Sequence, residues 1–181
     1  QAQLELRRLQ EWIPRMAGRF RLEGSLDMAS ESGPTERLSI RGQADCRGIR
    51  AATRLSLQAP GVECFMDMTW SPSSAADGTA PQGATATQHS AVLVYGMDRS
   101  IPGITHMLVD DEGVAEGGMA QLQADMLVSK SPCARIQGKC LRKLRITEPD
   151  RQSLKMEVDM EVDGKRVGGQ QLTLRREAVA P

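Results

Sequence analysis

Residues 145–175 read RITEPDRQSLKMEVDMEVDGKRVGGQQLTLR. In the middle of this stretch, apolar residues alternate with acidic ones, a period of two that is typical of a half-buried β-strand: Met156, Val158, Met160 and Val162. Asp163-Gly164 follows, a dipeptide suited to a type I′ turn, because both central residues of that turn need a positive φ. The stretch therefore predicts a β-hairpin.

The register of this hairpin needs one irregularity. A turn at Asp163-Gly164 places Val162 opposite Lys165, but the same register turns the later leucines to the wrong face. One extra residue at Gly168-Gly169, a β-bulge, restores the alternation. The resulting pairs are Met160 with Val167, Leu172 with Met156, and Leu174 with Leu154.

The same alternation recurs along the chain and predicts about ten strands, at 19–28, 37–46, 49–57, 62–70, 89–98, 104–109, 114–128, 142–146, 154–162 and 165–175. The first two strands form a hairpin if Met28 lies opposite Leu38, and Gly24 then faces Gly42. Arg47-Gly48 is either a tight turn or a bulge within one long bent strand. The strand at 89–98 is apolar on both faces, as a central strand is.

Nearly every connection in this series is a hairpin, so the strands are expected to lie side by side in chain order. An open meander of ten strands would leave two unpaired edges, and closure into a barrel removes them. We therefore predict an all-β fold, a ten-stranded antiparallel meander barrel forming a single domain over residues 1–181. The alternative architecture is two packed sheets.

Two segments depart from the strand pattern. Residues 1–16 carry apolar residues at helical spacing and predict a short N-terminal helix, whose regular part ends near Trp12 because Pro14 follows. Residues 71–88 are rich in Ser, Ala, Gly, Thr and Pro and lack large apolar residues, which predicts a long flexible loop. A tolerated insertion explains this loop better than a functional lid.

The composition excludes some classes of protein. The chain holds 23 basic and 23 acidic residues, so it lacks the basic excess typical of a nucleic-acid binder. No apolar run approaches the roughly 18 to 20 residues that a membrane-spanning helix needs. Ten methionines against five aromatic residues predict an aliphatic, Met-rich core.

Four cysteines are present, and none forms a C-x-x-C pair or lies near a histidine in sequence, so neither a zinc site nor a catalytic cysteine is expected. An even number favours two disulfides and an oxidising compartment over four buried thiols. The expected pairs are Cys133 with Cys140, across a short loop, and Cys46 with Cys64 by elimination. The predicted location is therefore periplasmic or secreted; the numbering begins at Gln1, which fits an N-terminal segment removed on export.

A short helix, then Gly18-Arg19-Phe20 opening a sequential meander, resembles the calycin group of lipocalins, fatty-acid-binding proteins and their bacterial relatives. The lipocalin signature is Gly-x-Trp at the first strand, where this chain has Gly18-x-Phe20 and carries its tryptophan at Trp12. The resemblance implies a barrel interior that holds a small apolar ligand. It supplies no catalytic residue.

The candidate ligand-binding residues are Tyr95, His106, Met66, Met68, Leu93, Leu108, Met156 and Met160. Tyr95 and His106 form the one polar pair among them, because a turn at 99–103 that sets Met97 opposite Ile104 also sets Tyr95 opposite His106. A histidine among aliphatic side chains suits a ligand head group or a metal, although a structural histidine with its own hydrogen bonds is the commoner case. His89, His106 and Asp110 lack metal-ligand spacing, so no metal and no cofactor are predicted.

Two functional hypotheses follow. The first is an exported bacterial protein of the lipocalin type that binds or carries a small hydrophobic molecule inside the barrel. The alternative is a cell-envelope interaction or scaffolding module with a packed barrel, which would meet a partner through the loop at 71–88 or through an outer arginine face: Arg19, Arg21, Arg37, Arg41 and Arg54. Both hypotheses are non-catalytic, because no known catalytic motif occurs, and the protein is predicted not to be an enzyme.

Overall fold

The computed structural model describes residues 7–8, 10–29, 36–51, 59–73, 85–98, 103–113, 115–133 and 139–178. Predictions that fall on other residues lie outside this description. They include Arg54, most of the strand at 49–57 and the interior of the loop at 71–88.

The chain forms a closed antiparallel barrel of ten strands, in which each strand pairs with its neighbours in sequence and the first pairs with the last. The strands are β1 (Gly18–Met28), β2 (Glu36–Ala51), β3 (Ala59–Pro72), β4 (Thr87–Asp98), β5 (Gly103–Asp110), β6 (Ala115–Gln123), β7 (Met126–Pro132), β8 (Cys140–Asp150), β9 (Ser153–Val162) and β10 (Lys165–Arg176). The predicted fold class and the calycin-like resemblance are confirmed.

The strand count is right; the structure decides the alternative left open at Arg47-Gly48 and corrects one predicted strand. β2 continues through Arg47-Gly48 to Ala51, so no separate strand begins at residue 49. The predicted strand at 114–128 is two strands, because the chain turns at Ala124 and Asp125. Ala124 adopts a φ of 52°, a left-handed conformation that alanine seldom takes. Because neither glycine nor asparagine, the usual residues of such turns, occurs at this position, the turn was not predicted.

The C-terminal hairpin has the predicted turn, with positive φ at both Asp163 and Gly164. Val162 lies opposite Lys165, and the predicted leucine pairs of β10 with β9 are confirmed. The bulge falls one residue earlier than predicted, between Arg166 and Gly168, so that Gly168 rather than Val167 faces Met160.

The predicted register of the first hairpin is wrong by two residues. Leu26, not Met28, lies opposite Leu38, and Gly24 faces Ile40. A shift of two leaves every side chain on the same face of the sheet, so the hydrophobic pattern does not distinguish the two registers.

Gly24 and Gly42 allow close contact with other strands rather than with each other. A Cβ at Gly24 would lie 1.9 Å from the carbonyl oxygen of Gln171 on β10. A Cβ at Gly42 would lie 2.0 Å from the carbonyl oxygen of Asp67 on β3. Each glycine therefore permits a backbone approach that no other residue would allow.

One end of the barrel is closed by the N-terminal segment. Its described residues up to Trp12 are helical and lead into a 3₁₀ helix, Ile13–Met16, which contains Pro14. Trp12, Ile13 and Met16 are buried in the core, and the Trp12 indole nitrogen donates to the carbonyl of Asp125 at 3.3 Å. We call this the closed end; the opposite end, where β3 ends and β4 begins, is the open end.

Both predicted disulfides are present. Cys46 and Cys64 lie directly opposite each other on β2 and β3, and Cys133 and Cys140 bridge the connection between β7 and β8. The first pair is possible because β2 runs on to Ala51 and pairs directly with β3.

We expect replacement of both Cys46 and Cys64 by alanine to lower the free energy of unfolding by about 3 kcal/mol, because the 18-residue link restricts the unfolded chain. Urea denaturation monitored by far-ultraviolet circular dichroism measures this change. The double Cys133→Ala/Cys140→Ala variant removes the link that closes a shorter loop, with a sequence separation of 7, and serves for comparison. A first variant as stable as the wild type would contradict the prediction.

Within the ranges given above, no helical segment has the length and apolarity that a membrane span requires.

Candidate functional site: a cavity inside the barrel

A cavity of about 340 Å³ occupies the part of the barrel towards the open end. Its rim includes Met28, Trp70 and Met160, all near strand ends remote from the 3₁₀ helix. Below it the interior is filled by buried side chains, among them Phe20, Val62 and Tyr95. The barrel is therefore not packed solid towards this end, because close-packed interiors contain few voids larger than a water molecule. The interaction-module hypothesis stays a prediction.

Most of the wall is aliphatic. It is formed by inward side chains of strands on both sides of the barrel: Leu26, Met66, Met68, Leu93, Leu108, Leu144, Met156, Val158, Met160 and Leu172. Seven of the eight candidate ligand-binding residues line the cavity, and the eighth, Tyr95, is not among its lining residues. That these residues contact a ligand stays a prediction.

Tyr95 is fully buried on the closed-end side of the cavity. Its hydroxyl lies 2.9 Å from the hydroxyl of Ser129, and burial raises the pKa of the Tyr95 phenol well above its ordinary value. The predicted pairing with His106 is present, with ring centroids 5.9 Å apart. Tyr95 therefore packs beside His106 at the closed-end side of the cavity, as a neutral phenol.

His106 lines the cavity and is only 6% exposed. Burial lowers the pKa of its imidazole, and a smaller opposite effect comes from a hydrogen bond to the Gly118 backbone. A bond that raises the pKa favours the protonated ring, so a ring N–H donates to the Gly118 carbonyl. Nδ1 has no hydrogen-bond partner among the residues described, which makes it an unused acceptor in the neutral ring.

The lowered pKa of His106 predicts a loss of stability on acidification. Since the folded-state pKa lies below the unfolded value of 6.5, the unfolded chain binds more protons as the pH falls through 6.5. We expect the free energy of unfolding to fall between pH 7.5 and pH 5, and to fall less in His106→Asn. Denaturation at several pH values measures both slopes; equal slopes would contradict the assignment.

A polar strip lies on the β5–β8 side of the wall; His106 in it was predicted, and Ser131 and Arg142 were missed by the sequence reasoning. Ser131 and Arg142 line the cavity and face each other across β7 and β8, and His106 faces Gly118 across β5 and β6. Gly118 adds no side chain there, and a Cβ would lie 2.1 Å from the Lys130 carbonyl oxygen. The signal was available, because Arg142 shares the inward alternation of Leu144 and Ile146.

Arg142 forms an ion pair with Glu116. Its Nη1 lies 2.8 Å from Oε2 of Glu116, whose side chain is 4% exposed while that of Arg142 is 25% exposed. The two atoms are close enough for an ion pair but are not aligned as a hydrogen bond. The Nε of Arg142 is buried and makes no hydrogen bond within the described part of the chain.

The rim of the open end carries a stacked pair of rings. Trp70 and His89 lie with ring centroids 4.0 Å apart, and His89 Nδ1 lies 3.4 Å from a carboxylate oxygen of Asp111 in the β5–β6 turn. Among the described residues, no three His, Cys, Asp or Glu side chains are grouped closely enough to hold a metal ion.

The outer arginine face is interleaved with carboxylates. Arg37 lies 3.5 Å from Asp27, and Arg175 on β10 lies 3.7 Å from Glu23. Asp45 pairs with Arg47 at 2.6 Å, and this contact lowers the pKa of the Asp45 carboxyl. The part of this face that the structure describes thus alternates in charge, which is typical of a solvated surface.

The fold and the cavity define a calycin-like barrel with an internal, mostly apolar cavity. The same fold occurs in the solved structure of the S-type phycobiliprotein lyase CPES from Guillardia theta, with a TM-score of 0.57 and 17% identity over 99% of this chain and 98% of that one. At this identity the match shows a shared fold. No family model matches the chain, and no curated protein matches it.

This comparison corrects one prediction. The protein was predicted not to be an enzyme, on the ground that a barrel without a recognised catalytic motif is non-catalytic. That inference is wrong, because a protein with the same fold is by its name a lyase, so this fold does not exclude catalysis. Fold does not determine function, and catalytic groups are recognised in a site rather than in an architecture.

Proposed function

We propose that this protein binds a small, largely hydrophobic molecule in the barrel cavity and works outside the bacterial cytoplasm, in the periplasm or after secretion. The observation that carries the proposal is a cavity of about 340 Å³ with an aliphatic, Met-rich wall. Ligand pockets measure about 300–1,000 Å³ and are lined mainly by apolar side chains, so this cavity lies at the lower end of that range.

The methionines of the wall suit this role. Met66, Met68 and Met156 are unbranched and rotate freely, so they adapt to the outline of a bound molecule. Because a lyase shares the fold, the proposal includes a bound molecule that is chemically processed as well as one that is carried.

The extracytoplasmic location is supported by the two disulfides, since such bonds persist in oxidising compartments and are rare in the cytosol. Alkylation of the protein in its native cells, with and without prior reduction, tests this part. Four freely alkylated cysteines before reduction would contradict it.

Binding is tested with the neutral dye N-phenyl-1-naphthylamine, whose fluorescence rises in apolar surroundings. In Leu108→Trp the larger side chain fills the cavity, and we expect dye affinity to fall at least about tenfold, which corresponds to 1.4 kcal/mol. The matched control is Met107→Trp, the adjacent outward residue of β5, which is 46% exposed. Absence of binding by the wild type, or equal binding by both variants, would contradict the proposal.

A further inference from the structure

The charges around the cavity restrict the kind of ligand it accepts. Arg142 is the one cationic side chain of fixed charge among the described lining residues. Its guanidinium is paired with the buried carboxylate of Glu116, and His106 is held neutral by burial. The pair is neutral as a unit, so the polar strip offers no net positive charge.

Carboxylates also lie at the open end. Three acidic residues at the end of β5 and in the turn after it line this part of the cavity, and each already interacts with another group: Asp110, Asp111 and Glu112. Of these, Asp111 lies next to His89 at 3.4 Å. An anionic ligand would reach a wall whose cation is already paired with Glu116, so it would gain no new ion pair there.

The strip nevertheless offers hydrogen bonds. Arg142 Nε is a donor and His106 Nδ1 an acceptor, and within the described residues neither has a partner. Buried polar groups without partners are costly, so a ligand that supplies hydrogen bonds here gains affinity. An uncharged group such as a hydroxyl or an amide both donates and accepts without bringing charge into the interior.

We propose that the ligand is an uncharged amphiphile, with an apolar body against the methionine wall and a hydroxyl or amide group at the strip of His106, Ser131 and Arg142. Fatty acids and other carboxylates are excluded as the preferred class. This inference rests on the proposed function, because it specifies the ligand of the same cavity.

The test compares two ligands that differ only in the head group, decan-1-ol and decanoate, by displacement of N-phenyl-1-naphthylamine at pH 7.5. At this pH the carboxylic acid is ionised, since such groups have a pKa of about 4. We expect the alcohol to bind at least about tenfold more tightly than the carboxylate, a difference of 1.4 kcal/mol.

One variant is expected to remove most of this preference. Glu116→Gln removes the carboxylate that neutralises Arg142 and leaves a cation at the cavity wall. Decanoate affinity is expected to rise about tenfold, the effect of roughly 1.4 kcal/mol of new ion pairing, with decan-1-ol within threefold of the wild type. Glu161→Gln, an exposed position on β9, makes the same change of charge on the surface and is expected to alter neither affinity.

If Glu116→Gln does not fold, the double variant Glu116→Gln/Arg142→Met replaces it. That variant removes both charges together and is expected to keep the preference for the alcohol. Equal or tighter binding of decanoate by the wild type overturns the proposal of an uncharged ligand but leaves the proposed binding function intact. Failure of the wild type to bind the dye, the alcohol and the carboxylate overturns the binding function itself.

Discussion

Replacing Gly42 with alanine is expected to lower the free energy of unfolding by about 3 kcal/mol, near the upper end of ordinary overpacking effects. The new Cβ would lie 2.0 Å from the carbonyl oxygen of Asp67 and 2.9 Å from the Cα of Met68. Both atoms belong to the backbone of β3, so no side-chain rotation relieves the contact. The two strands must separate, which weakens the hydrogen bonds of the β2–β3 pair.

The control for this prediction lies on the same strand. A Cβ at Gly48 would have no atom within 4 Å, so Gly48→Ala is expected to change stability by less than about 1 kcal/mol, or to stabilise slightly by restricting the unfolded chain. Urea denaturation of the two variants measures the difference. Equal changes in the free energy of unfolding for the two variants would show that Gly42 is not in close contact with the backbone of β3 in solution.

Breaking the buried ion pair is expected to have an equally large effect. In Arg142→Met the Glu116 carboxylate loses the cation 2.8 Å away, while its own side chain remains 96% buried. Removal of one member of a buried pair destabilises proteins by about 3–5 kcal/mol. Because Arg142 is 25% exposed and water reaches part of the site, we expect a loss of about 3 kcal/mol, at the lower end of this range.

The double variant Arg142→Met/Glu116→Gln separates the pair from its members. With both charges gone, no buried carboxylate is left without its cation, and stability is expected to return to within about 1 kcal/mol of the wild type. A double-mutant cycle by chemical denaturation gives the coupling energy directly. Additive losses in the double variant would mean that the two side chains do not form a pair in solution.

Much of the barrel was accessible from the sequence because the hydrophobic period is local information. The alternation at Met156, Met160 and Leu172 identified a hairpin and its inward face, and Asp163-Gly164 identified its turn. What the period does not encode is how far one strand slides along the next in steps of two, which is why the first hairpin was predicted in the wrong register. The turn at Ala124 was missed because alanine carries no turn preference.

The apolar wall of the candidate site and His106 were predicted, whereas Ser131, Arg142 and Glu116 were missed. Met66, Met68 and Met156 were identified because their inward positions follow from strand period alone. Arg142 and Glu116 lie on strands separated by β7, so their pairing depends on the registers of β6 with β7 and of β7 with β8, which the alternation of side chains does not specify. The one local indication of a polar group in the interior was that Arg142 follows the same inward alternation as Leu144 and Ile146.

Pairing of β1 with β10 has a consequence for how the chain reaches its native state. Phe20 lies opposite Arg176, so the seam joins parts of the chain that are distant in sequence. Contacts of this kind form slowly, because a long loop must close before any pairing energy is gained. Until then the partly assembled sheet has two unprotected margins, β1 and β10, and intermolecular strand pairing during refolding should begin at these margins.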